Sequence, residues 1–198
     1  MKHMKMLGLA AMSAMALIGI AAGTASATTV EINGVAQTGA IAIEASIASG
    51  KSMIFKDTSG FSQNTCTTSV AKGSTETKTG TAVTGKLSSL TFSNCTRTLT
   101  VHKPGALEYV WNSGTTNATV YSEEAQITSG SPIGTLNCTT GTTTHIGTLT
   151  GVTAADIGAG HLHGTLHFSA LINCGIISSA KWEATYTITT PEKIGFVS

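Results

Sequence analysis

Apolar residues fall at every second position through the last third of this chain, at Leu162, Leu166, Phe168, Ala170 and Ile172 and again at Trp182, Ala184, Tyr186 and Ile188. A period of two puts each series on one face of an extended strand, one side to a core and the other to water. Leu, Lys and Glu never accumulate at helical spacing over three turns. The composition agrees, since Thr, Ser, Gly and Ala dominate and only 11% of residues are charged, too few for solvent-facing helices. Shorter segments repeat the pattern. Val30-Glu31-Ile32 leads into Asn33-Gly34 and Val35, a hairpin signal because Asn-Gly accepts the positive φ values of a type I′ turn. Ile41, Ile43 and Ala45 alternate, Met53 to Lys56 is a short apolar run, and Leu99 and Val101 precede a Lys103-Pro104-Gly105 turn. Leu107, Tyr109 and Trp111 then share a face. Strands at roughly 8- to 15-residue intervals between turns predict an all-β fold, an antiparallel β-sandwich that is Ig-like or barrel-like. The polar stretch from Gly73 to Gly80 is expected to be irregular.

The N-terminus reads as an export signal over residues 1–27. Lys2 and Lys5 supply positive charge, Leu7 to Ile20 is apolar, and Ala25-Ser26-Ala27 is a small-x-small cleavage site. The apolar stretch is shorter than the ~20 residues a spanning helix needs, and no later segment predicts a transmembrane span. Residues 28–198 are then expected to form a single all-β domain. Removing Lys2 and Lys5 from the eleven basic residues leaves nine against ten acidic ones, with Arg97 the lone arginine. Without a basic cluster to neutralise phosphates, nucleic acid is not an expected partner.

Four cysteines, Cys66, Cys95, Cys138 and Cys174, follow the signal. An even set in an exported chain predicts two disulfides. Three connectivities are possible, but a weak repeat favours one of them. Asn64-Thr65-Cys66-Thr67-Thr68 resembles Asn137-Cys138-Thr139-Thr140, and each leads through a Thr/Gly stretch to a strand ending in Asn-Cys, at Asn94-Cys95 and Asn173-Cys174. Two related halves, each closing its own loop, predict Cys66–Cys95 and Cys138–Cys174. Metal ligation by these cysteines would need close Cys-x-x-Cys pairs, which are absent.

His161-Leu162-His163-Gly164-Thr165-Leu166-His167 is the sharpest candidate site. On a strand His161 and His163 would point the same way about 7 Å apart, a spacing at which two imidazoles can share a zinc or copper ion. The same residues equally suit the solvated side of a strand. No cofactor is expected. Asp57 and Asp156 are the only aspartates, Glu123-Glu124 is the only adjacent acidic pair, and no Gly-x-Ser-x-Gly elbow or phosphate loop is present. No catalytic residue is assigned on these grounds, and Trp111 and Trp182 are read as core because they sit within alternating apolar series.

The Cys138 loop, Ile146 to Val152, Asn173-Cys174 and the run Ala180-Lys181-Trp182-Glu183-Ala184-Thr185-Tyr186 ending in Thr190-Pro191 resemble a group of small secreted bacterial proteins that includes the PraB-type proteins, labelled activators of alkane oxidation. The resemblance spans Cys66 to Phe196 and rests on Cys, Trp and Tyr-x-x-x-x-Pro landmarks. It implies export and a surface- or biofilm-associated role, and it places no chemistry on any residue. Three function classes follow. The first is a non-enzymatic, adhesin-like or matrix β-domain that meets a cell-envelope or extracellular surface component. The second is a secreted small-ligand or metal module using His161 and His163, and the third a secreted hydrolase whose site residues the sequence does not reveal.

Overall fold

A computed structural model describes residues 27–76, 81–175 and 177–198. The expected export signal, except Ala27, lies outside them. The regular structure of the described residues is nearly all strand. The first six strands are β1 (Thr29–Ile32), β2 (Val35–Ala36), β3 (Ala42–Ile47), β4 (Met53–Asp57), β5 (Ser62–Glu76) and β6 (Val83–Cys95). Next come β7 (Leu99–Lys103), β8 (Ala106–Trp111), β9 (Ala118–Glu123), β10 (Gln126–Ser131), β11 (Gly134–Thr139) and β12 (Thr144–Thr150). A short helix, α1 (Ala154–Gly158), precedes β13 (Thr165–Gly175), β14 (Ser178–Thr190) and β15 (Ile194–Val197).

Eight strand positions close into an antiparallel barrel. β5, β6, β8, β9, β12, β13 and β14 are hydrogen-bonded in that order. The eighth position is shared by β3 and β4, which lie end to end between β14 and β5 and pair with both. Closure removes the free edges that an open sheet would present to other chains. The expected all-β architecture is therefore present in its barrel form.

The four long strands, β5, β6, β13 and β14, outrun this ring and build a second storey. There β11 joins β13 through Thr139 and Asn173, β10 pairs with β11, and β7 pairs with β10. Met53, Phe55, Ile127, Leu136 and Ile172 fill the space between the layers and are buried. Both expected disulfides are here. Cys66 faces Cys95 directly across β5 and β6, and Cys138 on β11 joins Cys174 on β13. A buried hydrogen bond from Asn64 Nδ2 to Ser129 Oγ, 3.0 Å, ties β5 to β10 across the core. The two cysteine-bearing halves interleave, since β14 from the second pairs with β3 and β4 from the first.

The opposite end is covered by a small sheet in the order β15-β1-β2. Asn33 (φ 54°) and Gly34 (φ 74°) make the expected tight turn between β1 and β2. Val30, Ile194 and Phe196 of this cap are buried, and the Phe196 ring stacks on Tyr109 at 5.5 Å. The cap is sewn on by Thr28 Oγ1 donating to the Thr81 carbonyl (2.8 Å) and by Phe196 N–H donating to that of Thr116 (3.0 Å). Gly151 is required beside this seam: a Cβ there would lie 2.1 Å from the Thr116 carbonyl oxygen.

One local expectation changes. Residues 73–76, expected to be irregular, continue β5, because β3 and β6 on either side satisfy their backbone groups; residues 77–80 lie outside the described residues. Lys103-Pro104-Gly105 links β7 to β8, and these two strands do not pair with each other. β7 goes to β10, whereas β8 goes to β6 and β9.

Candidate functional site

The barrel interior is not filled. A cavity of about 80 Å³ lies inside the ring, and the inward residues explain it. On β3, β5 and β6 the positions facing the axis include Ala45, Ala71, Gly73 and Gly85, which present a methyl group or nothing. Leu149, Leu166, Phe168 and Trp182 project from the opposite wall. Eight strands enclose an interior just wide enough for side chains or one small ligand, so a run of small residues along one wall leaves a void. Gly73 and Gly85 have backbone reasons as well. A Cβ on Gly73 would sit 2.2 Å from the Lys86 carbonyl oxygen, and one on Gly85 would meet the Tyr109 ring at 3.2 Å.

The lining of the cavity extends to the surface beside β6, where exposed Ser74 and Lys86 belong to it. β8 follows β6 only from Val83 to Lys86, and the last bridge is a long one, Leu87 N–H to the Gly105 carbonyl at 3.4 Å. Ser88 is then an extra residue, because Lys72 pairs with Ser89 and Gly73 with Leu87. Such a bulge bends a strand and re-aims its side chains. β7 stays with β10, so among the described residues Ser88 to Asn94 is ladder-bonded only to β5. Half-buried Leu87, Leu90 and Pro104 line the opening.

The polar groups in this interior are few and mostly paired. Tyr186 Oη and Ser69 Oγ are 2.9 Å apart, and burial pushes the Tyr186 phenol pKa up to about 12. Burial also holds the Tyr109 phenol well above its ordinary range. Both phenols are neutral at neutral pH. Thr140 Oγ1 accepts from the Ala125 N–H at 2.8 Å and lies 3.3 Å from Ser122 Oγ. Among the described residues, the indole N–H of Trp182 is a buried donor with no partner.

The histidines stand elsewhere, and not as the sequence suggested. β13 begins at Thr165, so His161 and His163 lie in a loop and the period-two argument for a shared face does not reach them. The cause is local. Thr153 and Asp156 form a capping box that starts α1. The helix ends in a turn closed by Gly160 at φ 80°, with His161 N–H donating back to the Asp156 carbonyl at 2.8 Å. His163 Nδ1 donates to the Ile188 carbonyl at 3.0 Å, leaving Nε2 free. His167 is on β13 with Nδ1 3.3 Å from Thr185 Oγ1. Among the described residues no three His, Cys, Asp or Glu side chains converge to hold a metal ion. Zinc is therefore expected to bind no tighter than about the micromolar range at pH 7.5. Calorimetric titration of the protein and of His161→Ala checks this; tight stoichiometric binding that the substitution abolishes would contradict it.

The acidic residues weighed for catalysis are occupied in local structure. Asp57 accepts from the Ser59 and Phe61 N–H groups and from Gln63 Nε2, and the Ser59 hydroxyl bond leads in holding its carboxyl below the usual range. Asp156 is likewise lowered, first by the Thr153 hydroxyl and then by the Thr153 N–H. Glu124 pairs with Lys103, and Glu123 precedes it at the end of β9. Trp111 is half-buried against the core, its N–H donating to the Thr115 carbonyl at 2.7 Å.

No family model, curated protein or solved structure matches this chain. The fold and the cavity themselves carry the functional argument. Two disulfides mark a chain that matures in an oxidising compartment.

Proposed function

We propose that this chain is an exported, non-enzymatic binding domain of the cell surface or extracellular space, and that it holds a small apolar molecule inside its barrel. The apolar cavity with an opening beside β6 carries this reading. A core packed only for stability fills its interior to crystal-like density, and each unfilled volume costs stability. Here the lining of the void extends to the surface, which gives a ligand a route in. The disulfides and the cap hold the walls in place before any ligand arrives, so binding need not order the barrel. The resemblance to PraB-type secreted proteins supports the location, not the ligand.

Titration with five-carbon apolar molecules, followed through methyl resonances, tests the reading. Saturable binding is expected with dissociation constants of roughly 10 µM to 10 mM for so few atoms. Shifts should centre on Leu149 and Leu166 and spare Val30 under the cap. Ala71→Leu, which fills the cavity from β5, should abolish them. Shifts spread over the surface and unaffected by Ala71→Leu would refute the proposal.

A further inference from the structure

The unpaired indole of Trp182 says more about the ligand. Trp182 is 3% exposed and lines the cavity, and its Nε1–H has no acceptor. Phe55, Phe92 and Phe168 surround the ring with centroids 4.7 to 5.7 Å away, and none offers an oxygen. Buried indole N–H groups ordinarily find a partner, because an unpaired donor gives up its water and gains nothing. The hydroxyls at the cavity do not supply one: Tyr186 is matched with Ser69 and Thr140 with Ser122 and Ala125, and the Tyr109 hydroxyl is not within hydrogen-bond reach of the indole. A lining this apolar also tends to stay dry.

Resting on the binding reading above, we infer that the barrel takes a small neutral molecule that is apolar except for one hydrogen-bond acceptor, which the Trp182 N–H meets. Short-chain ketones, esters and lactones are the matching class. A carboxylate is not, because no cation lines the buried part of the cavity. Lys86 lies at the exposed margin with its Nζ 2.7 Å from Glu76 Oε1. The volume, about 80 Å³, is what two to three waters occupy in the liquid. It takes the carbonyl end of such a molecule, with the rest of the chain against Leu87, Leu90 and Pro104 at the opening.

The test uses 2-pentanone and n-pentane as probes against the mature protein and Trp182→Phe, which keeps an aromatic ring and deletes the donor. 2-Pentanone is expected to bind the parent, move the Trp182 indole proton downfield, and weaken about tenfold in Trp182→Phe, the worth of one buried hydrogen bond. n-Pentane should bind both proteins alike, which also shows that the variant keeps its cavity. If both probes bind but 2-pentanone neither shifts the indole proton nor weakens in Trp182→Phe, the inference is wrong while the binding reading stands. If neither probe enters the parent, both fall together.

Discussion

A protein stripped of both disulfides, as Cys66→Ala/Cys95→Ala with Cys138→Ala/Cys174→Ala, is expected to be largely unfolded at 37 °C. Each bridge closes a loop, with sequence separations of 29 and 36. On the chain-entropy estimate each restrains the unfolded chain by about 3–4 kcal/mol. Their sum rivals the whole stability of an ordinary domain, about 5–15 kcal/mol. Both bridges also sit in the storey where the ring no longer closes and the β7-β10-β11 layer is joined to β13 at one register position. Removing either pair alone should lower the denaturant midpoint without abolishing the transition. Cys95 is half-buried whereas Cys66, Cys138 and Cys174 are buried, so mild reduction should open Cys66–Cys95 first. Denaturant melts of the three variants and peptide mapping after partial reduction give the answer. A folded quadruple variant within about 1 kcal/mol of the parent would mean that packing alone holds the two storeys together.

Trp182→Ala should cost about 3–5 kcal/mol, the range of large-to-small aromatic changes in a core. Its ring is the meeting point of Phe55, Phe92 and Phe168, from β4, β6 and β13, so three strands lose packing at once. The substitution also enlarges an existing cavity, and the walls have little freedom to collapse into it because β13 and β14 are ladder-bonded along their length. Lys181→Ala, one position away, should change stability by less than about 0.5 kcal/mol. Its Nζ lies 2.7 Å from Glu183 Oε1, but Lys56 holds the other oxygen of that carboxylate at 2.6 Å and remains after the change. Chemical melts of the pair decide the matter. Equal losses would contradict the inward and outward phase of β14.

That phase was legible in the residues alone. Burial along β13 and β14 alternates as the apolar spacing requires, because a pleated strand turns successive side chains to opposite faces wherever it lies. The Asn33-Gly34 turn and the two disulfides were legible for comparable reasons. One rests on which residues tolerate positive φ, the other on the oxidising compartment and a repeated Asn-Cys strand ending. The short helix had a signal too, Thr153 and Asp156 at capping-box spacing, overshadowed by the His-x-His pattern that follows. Read as a strand, that pattern brought His161 and His163 to one face; the cap and the Gly160 turn place them in a loop instead.

Sequence by itself therefore determined strands, their buried faces, the turn chemistry and the covalent framework, since each depends on neighbours within a few residues or on cysteine count and surroundings. Only the tertiary structure decided that β3 and β4 share one place in a closed ring, that β7 leaves β8 for β10, and that Ala45, Ala71, Gly73 and Gly85 lie along one wall. Pairings between distant strands are chosen by how well whole faces pack, and the lone donor of Trp182 acquires meaning only when those faces enclose it. The candidate site belongs to this second class, for a cavity is a property of what several strands together leave empty.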